Sequence, residues 1–561
     1  MKKNIIIIAV LLGALVSCTK NFERINTDPN NISRGQIQPS NVIEPVLIYG
    51  SNEMIGETWS LANEISQVTA AVSSNIREEH RYNLNNGNFA GRWNAYYEWS
   101  ILADHMYNLA LAQGDENYQA IGLTMKVYYM QGITDLFGGI AYKEGMKADK
   151  GIVQPVIESQ HDVYEDMFAD LEKANSLYNT QKPLPSKEKD AMYKGDINKW
   201  RKFTNTLYLR LLNRVSGRND SFSPTIQERM AKIFNDPTTY PVFVSNEDNA
   251  HVHFSGATQY YSNKFRPLDY PSDSNFSGEH HICDQFLGML ILDKDTEKVD
   301  PRLRIWCKQR LGKTSGIPEY SWFGTISGCS SGYASGHRSD YLTNDAWLNY
   351  DALCRDVADN IIMDYDELLF IKAEAALKGW ISGNAKDYYE QAIAANCKKW
   401  NAWGEFAKAY TIDPATRKVI SQDPVNITDA DIAALIADPK IAWDGTEQRL
   451  AEQKWLSLFW VAGWEMYHQM RRTGYPEIKI GKGVVEKNAT GGKFCARMPY
   501  PIIAISNNNA HYLEEIKRMG GSSTDDNLMT LPVWWSGEAI AKDAGSPWPH
   551  AFRKLEYRDE N

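Results

Sequence analysis

The sequence predicts an all-α fold, in which a tetratricopeptide-like scaffold of helix pairs carries a large irregular insertion. Apolar residues recur at helical spacing in paired segments near residues 91–137, 158–216, 362–400 and 447–472. The clearest pair runs from Asp366 to Trp400, and its length is close to the ~34 residues of a tetratricopeptide unit. By contrast, the regions near residues 217–361 and after residue 473 lack this periodicity, and the first of them is rich in Gly, Ser, Asn, Pro and aromatic residues.

The chain begins with a predicted secretion signal. Lys2 and Lys3 precede an apolar run from Ile5 to Val16, which is shorter than the ~20 residues of a membrane-spanning helix. The run ends in Leu15-Val16-Ser17-Cys18, which resembles the lipobox of bacterial lipoproteins. We therefore expect residues 1–17 to be removed and Cys18 to be acylated, because two or three acyl chains would hold the protein at a membrane. An ordinary signal peptide with a coincidental cysteine is the alternative.

The next segment, residues 18–39, is polar and contains the turn signal Asp28-Pro29-Asn30, which predicts a tether. We expect residues 40–561 to form a single domain, because the helical units are not contiguous and the irregular region is inserted between them.

Helical spacing supports each predicted pair in order along the chain. In the first, Trp93, Tyr96, Tyr97 and Ile101 precede a break at Gly114, and Leu123, Val127 and Met130 follow it. In the second, Tyr164, Met167, Phe168 and Leu171 form one stripe, and Trp200, Phe203, Leu207 and Leu211 form the other.

The third pair places Leu369, Ala373 and Ala376 before Gly383, and Tyr388 and Tyr389 after it. The small alanines should leave holes that the tyrosines fill. A fourth helical run is predicted from Leu450 to Arg471.

Composition argues against several functional classes. The 60 basic and 70 acidic side chains give a formal net charge of -10, so nucleic acid is not an expected partner. The 7 cysteines form no C-x-x-C pair, so zinc ribbons and thioredoxin-type chemistry have no support, while one or two disulfides stay open. The 17 Trp, 30 Tyr and 18 Phe suit recognition by stacking, although most of these rings must belong to the core.

Three patterns could carry chemistry, but each is better explained structurally. The G-x-S-x-G pattern from Gly328 to Gly332 precedes a glycine-rich stretch rather than a helix. His251 and His253, with His280 and His281, lack spacing that assures a zinc site. The acidic run Asp293, Asp295, Glu297 and Asp300 lacks the central glycine of an EF-hand, so a solvated loop is expected. We expect no catalytic residue, no metal and no cofactor.

The best binding candidates are aromatic residues in the irregular region. Trp322, Tyr333, Tyr341 and Trp347 lie in a stretch where Gly and Ser free the backbone and rings supply stacking faces. Tyr260 and Tyr261 form a similar cluster. Sugars and peptides both pack on such rings, so the ligand class stays open. Alternatively, the rings pin long loops onto the scaffold.

Several segments, weak individually but collinear, resemble the SusD/RagB-like outer-membrane lipoproteins of Bacteroidetes. They are Phe22 to Asn30, Asp135 to Tyr142, Trp200 to Leu207, Asp300 to Leu303, Ala373 to Ala375, Arg471 to Pro476 and Arg497 to Pro501. The sequence departs from the family pattern at Ala141, where proline is usual, and at Met466 to Met470, where Trp and Asn are commoner.

The resemblance implies about four tetratricopeptide-like pairs and an irregular half that faces the ligand. It also implies a lipid-anchored protein on the outer membrane that faces the cell exterior and captures an oligosaccharide or a peptide. The expected partner is a SusC-like TonB-dependent transporter, and no enzymatic activity is expected. A lipid-anchored glycoside hydrolase and an adhesive repeat protein are the competing hypotheses. Arg471 and Arg472 are expected to be structural, because cations suit the end of a helix.

Overall fold

The structure is a computed structural model that describes residues 37–71, 79–82, 84, 87, 89–264, 280–293, 298–308, 310–314, 317–321, 347–413, 416, 419–477, 495–521, 529 and 531–536. It is mainly helical, which confirms the predicted fold class. Cys18 and most of the predicted tether lie outside the described residues.

Helices of six or more residues are the main elements of the described chain. They are α1 (Ser40–Glu57), α2 (Ala90–Gln113), α3 (Glu116–Phe137), α4 (Gln160–Leu177), α5 (Ile197–Arg214), α6 (Ile226–Asn235), α7 (Asp284–Leu290), α8 (Tyr365–Leu377), α9 (Ala385–Gly404), α10 (Asp429–Ile436), α11 (Glu447–Ser457), α12 (Glu465–Thr473), α13 (Ile502–Asn507) and α14 (Asn509–Arg518). Short helical segments occur at Thr58–Ala62, Asn63–Ile65, Glu79–Arg81, Ala148–Lys150, Lys187–Lys189, Ser216–Ser221, Asn246–Asp248, Gln259–Tyr261, Leu303–Trp306, Tyr350–Leu353 and Trp534–Ser536. Among the described helices, none combines the length and apolar character needed to cross a membrane.

The first pair, α2 and α3, is joined by a two-residue link that its sequence specifies. Gly114 ends α2 in the left-handed region, at a φ of 70°. Asp115 then caps α3, because its side chain accepts a hydrogen bond from the Tyr118 N–H at 3.2 Å. A Cβ atom at Gly122 would lie 2.8 Å from the Tyr107 backbone nitrogen, so glycine is what allows the two helices to approach so closely.

The second and third pairs also begin at side-chain caps. Ser159, Asp196 and Asn384 accept hydrogen bonds from backbone N–H groups at the starts of α4, α5 and α9. Between α8 and α9, Tyr389 is buried with its ring centroid 6.0 Å from that of Phe370.

The predicted alanine stripe of α8 is only partly buried. Ala373 is fully enclosed, but Ala376 is half-buried. Tyr388 fills the space beside Gly383, where a Cβ atom would lie 2.5 Å from the Tyr388 hydroxyl.

In the segment of the fourth predicted pair, near residues 447–472, a turn separates α11 from α12. Within this turn, Trp460 and Gly463 have positive φ values of 67° and 102°. Val461 forms an isolated parallel bridge with Ile361, which fixes the interruption against the rest of the fold.

The regions predicted to be irregular also contain regular structure. Residues 217–361 include α6, α7 and short strands, and α13 and α14 lie after residue 473. Helix α1 was not predicted at all.

The strands are short and pair in an antiparallel sense. They are β1 (Thr69–Ala71), β2 (Ala250–Val252), β3 (His280–Ile282), β4 (Ile291–Asp293), β5 (Lys298–Val299), β6 (Cys307–Lys308), β7 (Arg310–Thr314), β8 (Ile317–Ser321), β9 (Trp347–Leu348), β10 (Asn360–Met363), β11 (Lys408–Ile412) and β12 (Val419–Pro424). One sheet has the order β1-β3-β9-β6, and the other strands form the pairs β10-β2, β11-β12, β4-β5 and β7-β8.

A buried junction brings together three of the sequence segments that carried the family resemblance. The Arg471 guanidinium donates to the carbonyl oxygens of Asp135 at 2.6 Å and Ala496 at 3.1 Å. The Met498 N–H donates to the Leu136 carbonyl at 2.9 Å. Arg471 thus satisfies backbone acceptors at the end of α3, which confirms a structural role but through buried hydrogen bonds rather than the helix dipole alone.

Candidate ligand-binding surface

The structure describes only part of the predicted aromatic site. Trp322, Tyr333 and Tyr341 lie outside the described residues. Trp347 is described through its backbone, which pairs in β9 with His281 and with Lys308. The end of the predicted aromatic stretch is therefore anchored in the four-stranded sheet.

Tyr260 presents an exposed ring. Tyr260 is 68% exposed, and it is the one aromatic residue among the large apolar residues that are exposed in the described part of the chain. The Tyr49 ring of α1 lies edge-on beneath it, with centroids 6.2 Å apart and an interplanar angle of 75°. Tyr49 in turn lies 6.4 Å from Trp99 of α2. Three rings therefore lead from the buried helices to the surface.

The segment that carries Tyr260 is held in place by side-chain amides. Asn52 of α1 donates to the Ser262 carbonyl at 3.0 Å and accepts from the Lys264 N–H at 3.0 Å. The Asn263 amide donates to the Ala358 carbonyl at 2.8 Å. The backbone that follows Tyr260 is therefore bonded to the scaffold, which lowers the ordering entropy that this segment would lose on contact with a ligand.

Tyr261 has a different environment from its neighbour. Its hydroxyl donates to the Glu44 carboxylate at 2.8 Å, and this hydrogen bond raises the pKa of the phenol. The Tyr261 side chain thus fastens the segment to α1, as the loop-pinning alternative predicted, while Tyr260 remains the open ring.

Sequence reasoning missed Tyr49, because it missed the helix that carries it. Helix α1 contains Pro45 and Gly50, which weaken a helical signal in the sequence. Gly50 is required by packing, since a Cβ atom there would lie 2.1 Å from the Tyr129 hydroxyl. A helical face running through Val42, Val46 and Tyr49 was the available signal.

The predicted histidine pair lies at the edge of the core and contacts carboxylates. His251 lies in β2 and His253 follows the end of that strand, and both imidazoles contact the Asp359 carboxylate, at 3.7 and 2.8 Å. His251 Nε2 lies 2.6 Å from Asp364 Oδ1, and His253 Nδ1 lies 2.8 Å from Asp359 Oδ1. Among the described residues, no group of His, Cys, Asp or Glu side chains is arranged to hold a metal.

The acidic run is corrected at Asp300. Rather than lying in a solvated loop, Asp300 is fully buried and accepts two hydrogen bonds from the Arg302 guanidinium, at 2.6 and 3.0 Å. Asp295, Glu297 and the glycine-rich motif at 328–332 lie outside the described residues. Cys307, Cys354, Cys397 and Cys495 are buried free thiols.

Comparison with known families finds one match that covers most of the chain. The SusD-like family model, described as starch-binding and associating with the outer membrane, matches residues 29–501. No curated protein sequence matches the chain.

Solved structures share the fold. A SusD homologue from Bacteroides fragilis aligns with a TM-score of 0.69 at 21% identity, covering 89% of this chain and 100% of that one. A protein described as a chitin-binding protein aligns with a TM-score of 0.71 at 22% identity, covering 89% and 100%. A chitin-binding SusD homologue from Flavobacterium johnsoniae aligns with a TM-score of 0.65 at 22% identity, covering 89% and 99%.

Proposed function

We propose, from the premise that this chain belongs to the SusD-like family, that it captures an oligosaccharide at the cell surface and delivers it to a TonB-dependent outer-membrane transporter. Family membership supports a general binding role at the outer membrane. The ligand class, the lipid anchor at Cys18, the outward orientation and the SusC-like partner belong to the proposal.

The exposed ring of Tyr260 is the observation that carries the proposal. A rigidly held ring offers the flat apolar face on which the C–H patches of a sugar pack. The formal net charge of -10 suits an uncharged glycan better than a polyanion. The starch-binding description of the family and the chitin-binding description of two structural neighbours support the same class of ligand.

Titration calorimetry on the soluble chain from residue 19 would test this. We would titrate malto-oligosaccharides and chito-oligosaccharides, with peptides of similar length in parallel. Tyr260→Ala should weaken binding of the preferred glycan roughly 5- to 150-fold, the ~1–3 kcal/mol expected of an aromatic anchor. Val244→Ala is the matched control, because Val244 is also exposed, at 65%, and lies outside the aromatic cluster.

Other outcomes separate the competing hypotheses. Binding of peptides but not glycans would favour the peptide alternative for the same site. Release of shorter sugars during long incubation would contradict a purely binding role and favour a hydrolase. Purification of the protein from native outer membranes should recover a barrel transporter, and its absence would contradict the delivery step.

A further inference from the structure

An apolar cleft of about 530 Å³ lies on a surface that does not include Tyr260. Helix α2 contributes Trp93, Tyr97 and Ile101 to its wall, residues 141–157 contribute Val153, and α13 contributes Ile503. This volume falls within the range of ~300–1,000 Å³ that is typical of ligand-binding pockets in proteins.

The walls of the cleft are held in position from behind. The Trp93 ring lies 5.1 Å from the Phe137 ring, measured between centroids. Across the cleft, the Asn508 amide donates to the Pro155 carbonyl at 2.6 Å, which ties α13 and α14 to the 141–157 segment. The cleft is therefore a built feature of three chain segments.

Exposed apolar side chains are concentrated at this cleft. Ile101, Val153 and Ile503 are 44%, 77% and 43% exposed, and the sequence neighbours Val156 and Ile502 are 45% and 62% exposed. These five are half of the large apolar side chains that are exposed among the described residues. Contiguous apolar surface of this kind usually marks an interaction site.

The described chain ends close to the cleft. The Trp535 N–H donates to Gln160 Oε1 at 3.3 Å, and Gln160 follows the cleft residue Ile157 by three positions. Residues 537–561 continue from Ser536. The chain between Ser536 and Trp548 can extend on the order of 40 Å. This length is sufficient for Trp548 to reach the cleft.

The C-terminal sequence is complementary to the cleft. Phe552 and Leu555 have the i, i+3 spacing of a helix that docks its apolar face in a groove, and Trp548 lies directly before Pro549, which suits the first position of such a helix. Arg553 and Lys554 lie beside these anchors, and the exposed carboxylate of Glu98 lies at the cleft. The N-terminal segment is a less suitable occupant, since it would lead to the proposed lipid anchor.

We propose that residues 537–561 of this chain dock in the apolar cleft through Trp548, Phe552 and Leu555. Docking would remove the exposed patch from water and place Arg553 or Lys554 near Glu98. A second copy of the chain is the other candidate occupant, and the dependence of the protection on protein concentration distinguishes it.

Hydrogen exchange on the full soluble chain tests the docking. In the unmodified protein, the backbone amides of residues 550–558 should exchange at least tenfold more slowly than in a free peptide of the same sequence, independently of protein concentration. Phe552→Asp in the tail and Ile503→Asp in the cleft should each remove this protection. Val244→Asp, which places the same charge on an exposed apolar site elsewhere, should leave it intact.

Two results would overturn the proposal. One is exchange of the amides of residues 550–558 at the free-peptide rate in the unmodified protein. The other is protection that rises with protein concentration, or that survives both Phe552→Asp and Ile503→Asp, because it would assign the contact to a second copy or to another surface. Because Ile503 is partly exposed and Phe552 lies in the tail, unchanged thermal midpoints would show that both variants fold.

Discussion

The Arg472 guanidinium forms a two-point ion pair with the Glu374 carboxylate, in which both nitrogen–oxygen distances are 2.7 Å. The pair joins α12 to α8 and is buried, with Arg472 at 9% and Glu374 at 6% exposure. Burial opposes ionisation of Glu374, but Arg472 and Lys378 outweigh it and hold the pKa of the carboxyl well below its usual range. The third and fourth helix pairs are therefore joined by a buried charge pair. Loss of either charge would leave the other buried without its main partner.

Replacing Arg472 with Met should destabilise the protein by about 3–5 kcal/mol, because it leaves the Glu374 charge buried without its main partner. Urea unfolding followed by circular dichroism would measure the change. Lys378→Met is the matched control, since Lys378 contacts the same carboxylate at 2.8 Å but is 25% exposed and should contribute about 1 kcal/mol or less. Equal losses in the two variants would contradict the assignment.

The His251 contacts predict a pH-dependent stability. Burial disfavours the charged imidazole, but the carboxylates of Asp364 and Asp359 outweigh it and raise the pKa of His251 to about 9 from 6.5. Between these values the folded protein keeps a proton that the unfolded chain releases. The stabilising contribution is therefore complete below pH 6.5 and is lost as the pH rises towards 9.

We expect His251→Gln to lose more stability near pH 6 than near pH 9.5, by on the order of 3 kcal/mol. The free energy of unfolding of both proteins, measured across this range, would check it. A pH-independent difference for His251→Gln would mean that its imidazole is not charged in the folded protein.

Local patterns predicted the helices well, because a helical stripe and a cap are properties of neighbouring residues. Local reasoning did not locate the turn within the fourth pair, because a long-range contact decides the backbone there. The sequence near Trp460 continues a helical stripe, yet Val461 pairs with Ile361 about a hundred residues earlier and interrupts the helix.

The candidate site was less predictable than the scaffold for the same reason. Tyr260 could be chosen from the sequence because it forms an aromatic cluster with Tyr261. Its support by the Tyr49 ring, however, depends on a contact between distant segments. The apolar cleft combines residues near positions 93–102, 141–157 and 503–508, and none of these segments has an unusual sequence by itself.

The proposed lipid anchor predicts the behaviour of a Cys18 variant. Cys18→Ala should give soluble protein or an unprocessed precursor, because no thiol would remain to carry the acyl chains that hold the body at a membrane. Membrane fractionation with mass spectrometry would detect both outcomes. Cys329→Ala, outside the predicted signal, should stay in the membrane fraction. An unmodified Cys18 in mature, membrane-bound protein would contradict the prediction.

The predicted aromatic stretch can be tested by separate replacement of Trp322, Tyr333, Tyr341 and Trp347 with Ala. Each ring that contacts the ligand should contribute ~1–3 kcal/mol to binding, so its loss should weaken affinity roughly 5- to 150-fold. The fold should survive, because the helix pairs pack their stripes elsewhere, and an unchanged thermal midpoint would confirm this for each variant. Calorimetry with the preferred glycan then distinguishes contacting rings from pinning rings. If all four variants bind like the unmodified protein while Tyr260→Ala does not, the binding surface is centred on Tyr260. The four rings would then serve only to pin their own loop onto the scaffold.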